Sequence, residues 1–409
     1  MPIDLFMAWK FLREGRTQSI LIAAAIAIGV SVIVFLSALI GGLQEDLLAK
    51  TLGTQAHIVL RLPDEAARPQ LARAKANEEI EVLTRVESTA QRARAMSGWP
   101  KLVEELDSTP SVAAVSPVVS GPAFAVRGGV TQSIALVGVI PDRHVRIVDI
   151  ASRLTSGRML RGGTDALIGI DLAAAVGVDT GSKLRVSAAD GRTELLNVVG
   201  IFDLGNQAVN ERWVITPLRA GQTLLDHVGA VTRIDLRLPD PFAAEEVAGR
   251  LAGQTGLESE SWMQTNAQLL TALRSQYSSS IMIQFFVILS VSIGIASVLV
   301  VSVVQKRKQI GIMRAMGLSR ARVARIFIYQ GGLLGVLGSI AGVALGTGLA
   351  AFFTRAVTQG GQGPEFPIQV SADLMINAGL IAFATGLVAA ALPAIRASRL
   401  DPAEAIRNE

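Results

Sequence analysis

The 409-residue sequence has no cysteine, only three histidines and few charges, and each shortage removes a class of chemistry. Without cysteine there is no disulfide, no thiol nucleophile and no thiolate metal site, so a large domain must be held by its own apolar core. His57, His144 and His227 stand far apart and lack ligand spacing, which predicts surface or strand histidines and no metal centre. No G-x-x-x-x-G-K-[ST] run occurs, so the chain has no P-loop for a nucleotide, and no G-x-S-x-G elbow marks a catalytic serine. Aromatic residues are scarce, at 5%, and none interleaves the most basic run. The pI near 9.7 is therefore read as topology, without nucleic-acid binding. Charged residues make up 18% against 50% hydrophobic, and a mean hydropathy of +0.44 excludes an ordinary soluble protein.

The apolar residues are concentrated. Charge-free intervals of 28, 31, 29 and 22 residues lie between Arg16 and Glu45, Arg274 and Lys306, Arg325 and Arg355, and Asp373 and Arg396. Each exceeds the roughly 20 residues that cross a bilayer. The first is too long for the apolar region of a signal peptide and no A-x-A pattern follows it, so it is expected to remain as a span. Between the second and third intervals, Lys306, Arg307, Lys308, Arg314, Arg320, Arg322 and Arg325 occur without an acidic residue. Basic residues are retained on the cytoplasmic side, which places this loop and both termini there and the large segment outside.

The expected order is an interfacial helix over 1–16, spans over 17–43, 280–304, 326–353 and 374–395, and an outer domain over 44–279. The basic segment 305–325, an outer loop over 354–373 and a cytoplasmic tail over 396–409 complete it. The fold class is a membrane protein of four transmembrane helices, one plus three, with a large α+β domain inserted between the first two. In that domain, alternating or short apolar runs predict strands over 57–62, 112–115, 133–139, 166–170, 183–187, 195–202, 213–215 and 233–238. Helices are predicted over 171–176, 217–225 and 242–251, and the Ala, Arg and Glu-rich stretch 64–96 as a solvated helix or hairpin. From about Thr265 a single helix is expected to run into the second span.

Two features suggest function. Gly331, Gly335, Gly338, Gly342 and Gly346 recur at helical spacing in the third span, where small residues let helices approach closely, either within one subunit or at a dimer seam. No span contains Asp, Glu, Lys, Arg or His, which argues against an aqueous pore. In the basic segment, Ile310 with Met313 and Ile312 with Met316 predict a short amphipathic helix, resting on the anionic leaflet or pressed into a partner's groove.

On these residues the chain resembles permeases of the LolC/LolE, MacB and FtsX superfamily, closest to the LolC/LolE type. Trp262 and Asn266 precede the second span, Lys306, Ile310, Ile312, Arg314, Met316 and Gly317 follow it, and Gln330-Gly331 opens the third. Pro393, Ala397, Ser398, Asp401, Pro402, Ala405 and Ile406 match the C-terminal pattern. The resemblance implies a MacB-like periplasmic core domain with porter-like and Sabre-like parts, and a coupling helix at 305–318 that docks on an ABC ATPase. It implies a non-catalytic subunit without a cofactor of its own, ATP and Mg being held by the ATPase. Its implied partners are that ATPase, a second permease (a copy or a paralogue), and a periplasmic adaptor or lipoprotein carrier. The implied activity is mechanotransmission that expels lipoprotein or hydrophobic cargo, with MacB-like efflux or FtsX-like signalling to periplasmic partners as alternatives. Gln305 stands where glutamate is common, and the 64–96 stretch has no counterpart in that pattern.

Overall fold

The computed structural model describes residues 3–63, 94–359, 368 and 370–400. Most of the 64–96 stretch, expected as a helix or hairpin, the centre of the 354–373 loop and the residues from Asp401 onward lie outside these. In chain order the elements begin with α1 (Ile3–Glu14), α2 (Arg16–Thr54), β1 (Ile58–Arg61), α3 (Trp99–Asp107), β2 (Ala114–Arg127), β3 (Val130–Val139) and α4 (Pro141–His144). There follow β4 (Leu154–Gly157), β5 (Asp165–Gly169), α5 (Ile170–Val176), β6 (Lys183–Ala188), β7 (Thr193–Phe202), α6 (Gln207–Asn210), β8 (Trp213–Pro217) and α7 (Leu218–Leu224). The last are β9 (Arg233–Arg237), α8 (Ala244–Thr255), β10 (Glu258–Ser261), α9 (Trp262–Thr265), α10 (Ala267–Gln305), α11 (Arg307–Ala315), α12 (Arg320–Gln359) and α13 (Ala372–Ser398).

Two compact units result, one of residues 1–47 with 271–409 and one of residues 48–270. In the first, α2, α10, α12 and α13 are long and apolar enough to cross a membrane. Their helical form follows from the bilayer itself, where a backbone group without an internal partner costs several kcal/mol. The helices outlast the apolar runs: α2 continues past Leu43 to Thr54, because 44–50 is made largely of good helix formers. Polar contacts also tie the spans together, Gln284 Nε2 donating to Ser37 Oγ at 3.1 Å from α10 to α2.

In the second unit β2 joins two sheet systems. Its first half pairs with β9 and, through it, with β1 and β10. Its second half lies between β3 and β6, and the pairings β3–β8, β8–β5, β5–β7 and β7–β6 close these strands into a ring. Ala123, Ala125, Ile134, Leu136, Ile168, Val186 and Val198 fill the ring, capped by Leu172 and Val176 of α5. A small barrel filled by alternate side chains leaves no channel. The other half packs Ile58, Leu60, Ile234 and Leu236 against Val103 and Leu106 of α3 and Val247 and Leu251 of α8.

Two sequence expectations change here and one holds. β2 has 14 residues where four were expected, since Pro117, Gly121 and Pro122 argue against a central strand. Pro117 precedes the first β3 partner, and Pro122 lies after the last β9 partner and before the first β6 partner, so each faces a side with no neighbour to bond. β10, Glu-Ser-Glu-Ser, has no apolar signal and is held by its register on β1 and by Arg61, whose Nε donates to Glu258 at 3.0 Å. The single helix expected from about Thr265 is α10, unbroken from Ala267 to Gln305, and a turn at Asn266 (φ −108, ψ 31), whose side chain donates to the Trp262 carbonyl at 2.8 Å, separates it from α9.

Candidate functional site

The basic segment is only partly a surface. Ile310 is fully buried among Val303, Val323, Phe327, Ala394 and Ala397, and Met313 packs beside it. The exposed face of α11 is Lys308, Gln309, Ile312 and Ala315, continued by Met316 and Gly317. Ile312 is 44% and Met316 76% exposed. Of the two apolar pairs expected on the surface of this helix, Ile312 and Met316 do point out, whereas Ile310 is turned inward as an anchor with Met313 half-buried beside it.

What holds α11 in place is also explicit. Lys306 is buried, its Nζ donating to the Phe11 carbonyl at 3.0 Å, lying 4.1 Å from the Phe11 ring centre and 3.7 Å from Glu14 Oε2. Arg314 donates to the Leu400 carbonyl, two residues beyond α13, and Gln18 donates to Gln305. Gly317 (φ +99) closes the helix: its N–H bonds the Arg314 carbonyl at 3.0 Å and the Leu318 N–H bonds the Met313 carbonyl at 3.1 Å. That paired pattern needs a left-handed residue after the helix, with Leu318 and Met313 packing across it.

The glycine stripe meets two neighbours within the chain. A Cβ on Gly338, Gly342 or Gly346 would lie 2.6 to 2.9 Å from Ile26, Val30 or Val34 of α2. One on Gly331 would come within 2.5 Å of Gly386 and Ala390 of α13, and one on Gly335 within 3.1 Å of the Ala382 carbonyl. All five are thus occupied by intramolecular packing, and the seam they form is not left open for another subunit.

The inserted unit contains a polar cavity of about 390 Å³ that the sequence reading missed. Arg233 and Asp235 alternate on one face of β9, and that face is covered: Asp235 is 3% exposed, with its Oδ1 2.9 Å from Arg233 Nε. Across the sheet the register aligns Glu260, Val59, Asp235 and Ser116. His144 is buried, not a surface residue, with its Nδ1 3.3 Å from Ser116 Oγ. Burial, the main cause, pushes its pKa down to about 4. His57, buried just before β1, is likewise pushed down to about 4 by burial and then by the nearby Arg237, and its Nδ1 accepts from the Leu238 N–H at 3.1 Å. Period-two charges in 233–237 were the available signal, but alternation alone points a polar face to solvent. Trp262 and Asn266 serve this unit's structure: Trp262 is buried, donating to the Pro241 carbonyl at 2.7 Å and stacked edge-on against Phe242.

Comparison with known proteins places these features. The family model for a MacB-like periplasmic core domain matches residues 19–254, and that for the FtsX-like permease C-terminal region matches residues 281–402. The lipoprotein-releasing system transmembrane protein LolC of Xylella fastidiosa is 25% identical over all of this chain and 99% of its own. A macrolide export ATP-binding/permease protein MacB of Paracoccus denitrificans is 27% identical over 73% of this chain and 46% of its own. The periplasmic region of MacB from Actinobacillus actinomycetemcomitans covers 54% of this chain and 95% of its own, with a TM-score of 0.34 and 12% identity. With a MacB-like core domain over more than half its length and an FtsX-like region after it, the chain belongs to the LolC/LolE–MacB–FtsX superfamily of ABC transporter permeases.

Proposed function

We propose that this permease serves an ATP-driven exporter of the lipoprotein-releasing kind, in which a separate ATPase docks on the exposed face of α11 and its motion is passed to the inserted domain. The observation that carries the docking assignment is the pairing of Ile312 and Met316, two exposed apolar side chains one turn apart. They sit among basic residues on a helix anchored at both ends by Lys306 and Arg314. An apolar ridge on a fixed helix suits a partner's groove, since its binding costs little ordering entropy. Changing Ile312 and Met316 together to Glu is expected to abolish co-purification of the ATPase while membrane insertion persists. Normal ATPase recovery would reject the assignment.

Mechanotransmission is favoured over channel transport because the four apolar spans contain no Asp, Glu, Lys, Arg or His. α2 and α10 are each 39 residues long, about twice what a bilayer requires. A second permease is assigned to α10, the span least covered by its own chain, where Phe285, Phe286 and Ile293 are exposed. Lipoprotein as cargo is supported by full-length similarity to LolC. Depleting the protein is then expected to leave outer-membrane lipoproteins in the inner-membrane fraction. An unchanged distribution would exclude lipoprotein release and leave efflux or signalling.

A further inference from the structure

We propose that the groove between α1, α2 and α12 binds an anionic phospholipid, its acyl chain in the groove and its phosphate held by Arg13 and Arg16. The groove measures about 270 Å³, at the small end of ligand sites. Its floor is Ile20, Ala23, Leu334 and Leu337, and its rim is Trp9, Arg13 and Arg16. The wall offers no polar surface, so the arginines contribute their aliphatic stems and their charged heads lie outside it. A water-soluble ligand of this size would leave its polar atoms unpaired there. An amphiphile with a hydrocarbon tail and an anionic head matches both parts.

The charge balance points the same way. The acidic residues of α1 are taken by other bases, Asp4 lying 3.7 Å from Arg325 and Glu14 3.7 Å from Lys306. Among the described residues neither Arg13 nor Arg16 has an ion-pair partner, although both are exposed beside an apolar groove. Floor and rim are fixed relative to each other at the turn between α1 and α2. Ser19 Oγ donates to the Leu12 carbonyl at 3.0 Å, and the Gly15 N–H bonds the Phe11 carbonyl at 3.1 Å. Trp9 is 48% exposed on the same rim, a placement that suits an indole at headgroup depth.

The test is native mass spectrometry of the full chain purified in detergent, delipidated and titrated with phosphatidylglycerol or phosphatidylcholine of identical acyl chains. The expected result is one tightly held phosphatidylglycerol, bound on the order of thirtyfold more strongly than phosphatidylcholine, given about 1 kcal/mol for each of the two interfacial arginines. Changing Arg13 and Arg16 together to Gln should remove the preference. Leu337→Trp, which fills the groove at a half-exposed position and keeps both charges, should weaken binding of both lipids. Equal affinities in the unmodified chain, a preference that survives the double Gln variant, or phosphatidylglycerol binding untouched by Leu337→Trp would each overturn the site.

Discussion

Single positions in this chain owe their identity to backbone geometry and to burial, and these lead to different experiments. Gly317 has φ +99, so any side chain there costs about 1–2 kcal/mol in the left-handed region. Gly317→Ala should therefore loosen the end of α11 and reduce ATPase recovery without lowering the amount of protein in the membrane. His144 and His57 supply a pH dependence. Each has a folded pKa of about 4 against about 6.5 when unfolded, so the folded state favours the neutral ring. Their stabilising contribution is complete above pH 6.5 and is lost as the pH falls from there toward 4, at a cost of roughly 3 kcal/mol for each ring. Tryptophan fluorescence melts, dominated by Trp99, Trp213 and Trp262 of the inserted unit, should shift downward over that range. The shift should be smaller in His144→Gln, and an equal shift in both would reject the assignment.

At the scale of elements, α12 offers an internal comparison. Gly342 faces Val30 and the Ala27 carbonyl of α2 at distances that leave no room for a methyl group, while Gly348 on the same helix faces open space. Gly342→Leu should separate α12 from α2 and lower the melting temperature of the detergent-solubilised chain, and Gly348→Leu should leave it within a degree or two. Overpacking of this kind typically costs about 1–3 kcal/mol. The four-residue glycine spacing was enough to indicate close packing, because that spacing is a property of the helix alone. Which helices approach is decided by which side of α12 each glycine occupies, and the stripe divides, Gly331 and Gly335 facing α13 and the others α2. The same limit applies to α11. Its periodicity shows two apolar pairs, and only the contacts with Phe327 and Ala397 reveal which one is buried.

For the molecule as a whole, the orientation expected from the basic residues can be tested directly because the chain has no cysteine to remove. A cysteine at Met316 or at Val228, which is 78% exposed in the inserted unit, provides a unique label. An impermeant maleimide is expected to label Val228→Cys in intact spheroplasts and Met316→Cys only after the membrane is opened. The reverse pattern would invert the topology and place the α11 face out of reach of a cytoplasmic ATPase.

The sequence alone determined the four spans and the insertion of one large domain between the first two. A bilayer requires each spanning segment to satisfy its own backbone hydrogen bonds, so the information is local and continuous along the chain. Most of the strands of the inserted unit were legible for the same reason, as short runs of alternating side chains. Only the tertiary structure decided that β2 takes part in both an open sheet and a closed ring, since its prolines are permitted by neighbours distant in sequence. It alone placed Asp235 and His144 in a covered cavity, and it turned Ile312 and Met316 outward while Ile310 was enclosed. In each of these cases the deciding quantity is what packs against a face, and that depends on segments well separated along the chain: β6 and β9 for β2, β1, β9 and α4 for the cavity, and α12 and α13 for the basic helix.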